Sequence, residues 1–109
     1  MIRVLLVNEI RLMCNVLAAA LEDEADIRVV DCATSVEETL EKIQKLDIDI
    51  VLASTRLADG GALRLVERIT DSDPTTDVLV LGVTEKKERV LPLVANFYLS
   101  LRVVWIQHP

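Results

Sequence analysis

Aromatic side chains are nearly absent from this chain: Phe97, Tyr98 and Trp105 make up the whole 3% share. The core must therefore be aliphatic, and the recurring Val, Ile, Leu and Ala suit strands packed under helices. Glycine is also scarce, with three residues. A flavin or nucleotide site normally shows a glycine- or hydroxyl-rich phosphate loop, yet the segment after the first apolar run, NEIRLMCN, contains no glycine. The two cysteines, Cys14 and Cys32, show no CxxC or Cys/His spacing, which favours buried free thiols over a disulfide or a metal site. The single histidine, His108, stands beside the terminal Pro109 and reads as a tail residue. Positive charge is in the minority, 12 bases against 18 acids for a net charge of −6. This balance opposes nucleic acid and anionic membrane surfaces, which demand a basic patch. No apolar run reaches the roughly 18 residues of a membrane span. The N-terminus enters a strand pattern within three residues instead of showing a basic segment, an apolar stretch and a cleavage site. A cytoplasmic protein is the expectation.

What is present reads as one domain over residues 1–109, large enough for one core and too small for two. Hydrophobic residues at 51% and charged residues at 28% are the composition of a packed globular chain. Arg3 to Val7 (RVLLV) is a strand without alternation, as expected for one covered on both faces. Ile10, Met13, Cys14, Leu17 and Leu21 then recur at helical spacing, up to the acidic stretch Glu22 to Asp26. Ile27 to Cys32 is a second strand. Ser35 and Glu38 stand at capping-box spacing, ahead of a helical stripe of Val36, Leu40 and Ile43 that runs to about Lys45. Asp49 to Ala53 is a third strand, followed by the loop STRLADGG and a helix with its stripe on Leu63, Val66 and Ile69, stopped by Asp71 to Pro74. Val78 to Val83 is a fourth strand. Thr84 is placed to cap a helix from Glu85 toward Ala95, which Pro92 should kink or shorten, and the tail Leu99 to Ile106 reads as a fifth strand.

Strands alternating with helices imply parallel pairing through right-handed crossovers, with helices on both faces. The expected fold is α/β: a flavodoxin-like, doubly wound, parallel five-stranded sheet of order 2-1-3-4-5. Ligands of such sheets sit outside the carboxyl ends of the strands, near the switch in strand order. That rule selects Asn8 and Glu9, Ser54 to Arg56, and Val83 to Glu85.

The segments RVLLVNE, DIVLASTRLADGGALRLVERI and VLVLGV, in this order, resemble the receiver domain of two-component response regulators, most closely those that precede a LuxR-type helix-turn-helix domain. The likeness covers about residues 2–95. The family reads Asp-Asp after the first strand, Asp-x-x-x-Pro-x-x-x-Gly after the third, Thr or Ser ending the fourth and Lys ending the fifth. Here the acidic pair becomes Asn8 and Glu9, the phosphoacceptor becomes Ser54, the proline becomes Ala58, and the glycine falls on Ala62 with Gly60 and Gly61 just before it. The switch hydroxyl falls on Gly82. No lysine follows Lys87, and Arg102 is the remaining candidate for positive charge near the site.

The chemistry behind the family letters is a carboxylate nucleophile and an oxygen cluster for Mg²⁺, read out by a hydroxyl and an ammonium. Glu9 alone, beside neutral Asn8 and Ser54, implies weak or absent magnesium and no other cofactor. A serine hydroxyl without an adjacent general base is a weak nucleophile, so Ser54 is not expected to accept phosphate. The resemblance thus implies a pseudo-receiver with no enzymatic role, acting through protein contacts as part of, or derived from, a transcriptional regulator.

Each site residue also has a plain reading: Ser54 as a turn former, Glu9 as a first-turn acid, Arg56 as a solvated side chain, Asp59 as a loop carboxylate offset from the acceptor position. Two other functions compete, a small-ligand or nucleotide binder on the same fold and a conventional receiver altered at its acceptor. The chain stops where the family's fifth helix would begin, so that helix is expected to be missing. The apolar stretch from Phe97 to Ile106 is then expected to meet a protein partner or a second copy of the chain.

Overall fold

A computed structural model describes residues 1–54, 57, 61–73, 75–82 and 103–107 of the chain. Four strands, β1 (Ile2–Val7), β2 (Ile27–Ala33), β3 (Ile50–Ser54) and β4 (Asp77–Gly82), form a parallel sheet in the order β2-β1-β3-β4. Three helices, α1 (Arg11–Leu21), α2 (Val36–Lys45) and α3 (Gly61–Ser72), supply the crossovers. The alternation of strand and helix periods predicts this order. Val103–Gln107, β5, lies in parallel register beyond β4, with Val78 opposite Val103 and Gly82 opposite Gln107. The expectations for Arg56, Ala58, Asp59, Gly60, Thr84, Arg102 and His108, for the helix containing Pro92, and for a missing fifth helix lie outside the described residues.

The alternate residues of β1 serve two different layers. Leu5 and Val7 join Val36, Leu40, Val51, Ala53, Leu65, Ile69, Val78 and Val80 in the larger core, under α2 and α3. Val4 and Leu6 point the other way and meet Cys14, with Leu17, Ala18 and Leu21 of α1 packed around them. A strand buried on both faces is what a run of RVLLV without alternation requires. Between Val4 and Leu5 the ladder with β2 slips by one residue, so that Leu5 pairs with Asp31.

Ser35 caps α2 as its spacing predicts: its hydroxyl accepts from the Glu38 N–H at 3.1 Å, while the Glu38 carboxylate accepts from the Thr34 N–H at 2.7 Å. Such a cap is worth about 1 kcal/mol. Glu37 and Glu38 occupy the first turn and Lys42 and Lys45 the last, each favourable to the helix dipole. Arg68 and Arg64 both donate to Glu37 Oε1 at 2.9 Å, joining α3 to α2 and holding the Glu37 carboxyl below the ordinary range.

The first helix departs from its expected stripe. Ile10 is not in the helix but precedes it in an extended conformation, 54% exposed, and Met13 is 41% exposed. Only Cys14 is fully buried, with Leu17, Ala18 and Leu21 half-buried, so the inward face runs through 14, 17, 18 and 21. Cys14, Leu17 and Leu21 of the expected stripe thus face inward, while Met13 lies with Leu12 and Val16 on the exposed side. The stripe of α3 also extends further than Leu63, Val66 and Ile69: Ala62 and Leu65 are buried and Leu63 only partly so.

One ion pair links β2 to α2. Lys42 Nζ donates to Asp31 Oδ2 at 2.7 Å and to the Cys32 carbonyl at 2.9 Å, and its bond to Asp31 holds that carboxyl below the usual range. A depressed carboxyl contributes stability above its unfolded value and loses it as pH falls through the folded value. With Asp31 43% exposed, the pair is worth no more than about 1 kcal/mol. Lys42→Met should therefore lower the urea midpoint at pH 7, and the gap from the parent should narrow as pH falls below the ordinary carboxyl range and through the depressed folded value of Asp31.

Candidate functional site

The carboxyl ends of β1, β3 and β4 meet along one edge of the sheet. Val7 pairs with Ala53, so Asn8 follows at the level of Ser54, and Ser54 in turn pairs with Leu81, one residue before Gly82. Adjacent strands lie about 4.8 Å apart, which puts Asn8 and Ser54 on neighbouring strand ends and Gly82 one strand further, about 10 Å from Asn8. The structure thus places Asn8 and Ser54, which the strand-end rule selects, and Gly82, which the family pattern selects, along one edge of the sheet.

Local hydrogen bonding fixes the first of these. The Asn8 N–H donates to the Ala33 carbonyl at 3.0 Å, which carries the β1–β2 pairing one residue beyond the strand. Its side-chain Oδ1 accepts from the Ile10 N–H at 2.9 Å, an Asx turn that leads from β1 into α1. The oxygen that an aspartate would offer to a ligand is here turned onto the backbone. Glu9, inside that turn, is exposed. Ser54 is half-buried at the end of β3. Among the described residues, no three His, Cys, Asp or Glu side chains converge as a metal-binding group would.

Two further features were not visible in the sequence. Within the loop after β3, Leu57 is buried in the larger core, and its carbonyl accepts from the Gly61 N–H at 3.2 Å. Gly61 has a φ of 73°, a left-handed conformation that a side chain would disfavour by about 1–2 kcal/mol. The loop is therefore anchored at its middle and turned at its end. The register of β5 supplies the other: Gln107 is level with Gly82, at the edge that carries the family lysine, while β5 begins with Val103 at the opposite edge. Sequence alone could not set that register.

Residues 4–99 match the family model described as "Response regulator receiver domain". The chain belongs to this family. Its receiver sequence is 34% identical over 89 residues to the protein-glutamate methylesterase/protein-glutamine glutaminase 2 of Methanosarcina acetivorans, covering 82% of this chain and 25% of that protein. It is 34% identical over 92 residues to the response regulator GacA of Pseudomonas viridiflava, covering 84% of this chain and 42% of that one. The chain thus spans between a quarter and less than half of these relatives. In fold it is similar to the response regulator domain of Thermotoga maritima CheB, with a TM-score of 0.82 at 22% identity over 100% of this chain and 79% of that one. The isolated receiver domain of RcsB from Salmonella enterica gives a TM-score of 0.79 at 14% identity, over 87% of this chain and 71% of that one. Among the described residues, no helix is long and apolar enough to cross a membrane.

Proposed function

We propose that this receiver domain signals without being phosphorylated, through protein contacts, as a cytoplasmic module of a LuxR-type transcriptional regulator. The observation that carries the reading is the strand-end constellation of Asn8, Ser54 and Gly82 with Glu9 exposed beside it. Magnesium is a hard cation that parts with its water reluctantly and needs charged oxygen ligands. Of the family's acidic positions only Glu9 keeps a carboxylate, and the Asn8 oxygen is engaged with the Ile10 N–H. This donor set does not fit the ion, and weak or absent binding follows. A neutral serine hydroxyl in place of the acceptor aspartate has no strong nucleophile to offer.

The experiment is incubation with acetyl phosphate and Mg²⁺, read by intact mass. The protein should keep its mass while a conventional receiver treated alongside it gains a phosphoryl group. Stoichiometric addition to this chain would overturn the proposal.

The partner surface on this reading includes β5 and the sheet edge that it forms. An edge strand offers unpaired backbone donors and acceptors to a second chain. Support for association also comes from α1, which exposes Leu12 (68%), Met13 and Val16. Sedimentation at rising concentration should show a dimer, and a strict monomer at high concentration would count against this surface.

A further inference from the structure

Two thiols meet between α1 and the sheet, away from the strand ends of β3 and β4. Cys14 of α1 is fully buried, and Cys32 of β2 is half-buried. Leu6 and Cys32 are partners in the parallel β1–β2 ladder, so their side chains leave the sheet on the same face, the one that α1 covers. The Cys14 sulfur lies 4.0 Å from the Leu6 carbonyl and 3.9 Å from the Ala33 carbonyl. These belong to the register partner of Cys32 and to the residue that follows it, so Cys14 sits over the β1–β2 seam at the level of Cys32. Cys32 packs against the cluster that holds Cys14, and burial, with the Cys14 thiol close by, pushes the Cys32 thiol up to about 11.

We propose that Cys14 and Cys32 are a reversible dithiol–disulfide pair, closed by a small-molecule disulfide of the glutathione type into a covalent link between α1 and β2. Cys32, the half-exposed member, loses its proton to solvent and attacks one sulfur of oxidised glutathione. The S–S bond of that molecule breaks, one glutathione leaves as a thiolate and takes up a proton, and a mixed disulfide remains on Cys32. Cys14, deprotonated in turn, attacks the Cys32 sulfur and displaces the second glutathione, which is protonated likewise. The protein gives up two protons and two electrons, and one oxidised glutathione becomes two reduced ones.

The environment makes the reaction slow at neutral pH, because the thiolate is the attacking form and burial disfavours it. Around Cys32, the Asp31 carboxylate and the Cys14 thiol oppose the thiolate and Arg11 favours it, while Lys42 binds the Cys32 carbonyl. The rate rises as pH rises. Geometry offsets the slow first step: with Cys14 already beside Cys32, the second step is intramolecular and the mixed disulfide does not accumulate. The Cys14 sulfur also lies 4.0 Å from the Asn8 carbonyl, so the link forms against the strand end that leads into the degenerate pocket.

The test is to incubate the folded protein with excess oxidised glutathione at about pH 8.5, block remaining thiols with iodoacetamide, and record intact mass and a peptide map. The expected result is a protein lighter by two hydrogens with a Cys14–Cys32 cross-linked peptide, reversed by dithiothreitol. In Cys14→Ser, the reaction should stop at glutathione bound to Cys32. In Cys32→Ser, the folded protein should not react. Persistence of both thiols in the folded parent, or a stable glutathione adduct in the parent without the cross-link, would overturn the proposal. The parent's peptide map decides the matter even if a variant fails to fold.

Discussion

An Asn8→Asp, Ser54→Asp double variant should bind magnesium and take up a phosphoryl group from acetyl phosphate. Both positions stand on neighbouring strand ends, with Glu9 one residue from Asn8. The change turns one carboxylate into three. A pair of unit charges 4 Å apart attracts by about 4 kcal/mol at an effective dielectric of 20, and the ion carries two charges, although its dehydration takes back much of the gain. Magnesium affinity should rise about 100-fold or more over the parent, measured by titration calorimetry. The Ser54→Asp carboxylate then supplies the nucleophile that the serine hydroxyl lacks, and mass spectrometry should find one added phosphoryl group. Each single variant should give a smaller gain. The double variant should be less stable than the parent without magnesium, because three like charges repel at one sheet edge, and should regain stability as the ion is added. Unchanged magnesium affinity would show that charge at these two positions is not what separates this chain from its phosphorylatable relatives.

Leu65→Ala should cost about 3–4 kcal/mol, within the range for burying a cavity in a tight core. Leu65 is fully buried in α3, between the helix pair and the β1–β3–β4 sheet face. Domains of this size have only about 5–15 kcal/mol of stability, so the loss takes a large share of it. Leu12→Ala removes the same atoms from α1, where the side chain is 68% exposed, and should change stability by no more than about 0.5 kcal/mol. Urea denaturation of both variants checks the contrast. Equal effects would mean that the outward face of α1 is covered in solution, as in the dimer proposed above.

The sequence carried the fold further than the site. The strands β1 to β4 were legible because their runs are short, β-branched and separated by helical stripes, and α2 was legible to its ends because Ser35 and Glu38 declare its start. The side of α1 that packs was legible in part, since Cys14, Leu17 and Leu21 of the expected stripe face the sheet. Ile10 and Met13 of the same stripe are as apolar as the buried Cys14 and the half-buried Leu17 and Leu21, and only the position of the sheet leaves them outside. The positions of Asn8 and Ser54 could be read from strand ends and that of Gly82 from the family pattern, but the Asn8 bond to Ile10 and the alignment of Gln107 with Gly82 depend on turn geometry and register, which no spacing rule fixes. Cys14 and Cys32 escaped as a pair for the same reason, since a helix and a strand far apart in sequence bring them together.

The order β2-β1-β3-β4 also governs how the chain acquires its shape. No two neighbouring strands are joined by a hairpin, and the bond between the Arg3 N–H and the Asp49 carboxylate closes a separation of 46 residues. The central pairing of β1 with β3 must therefore await long loop closure, whose entropic cost precedes the reward of contact. A nascent chain that has emerged only as far as α2 holds Leu5 and Val7 with one flank of their strand bare, and the ribosome must release β3 before that flank can be matched. The interval is one in which a chaperone, or a neighbouring copy, competes for the same exposed backbone.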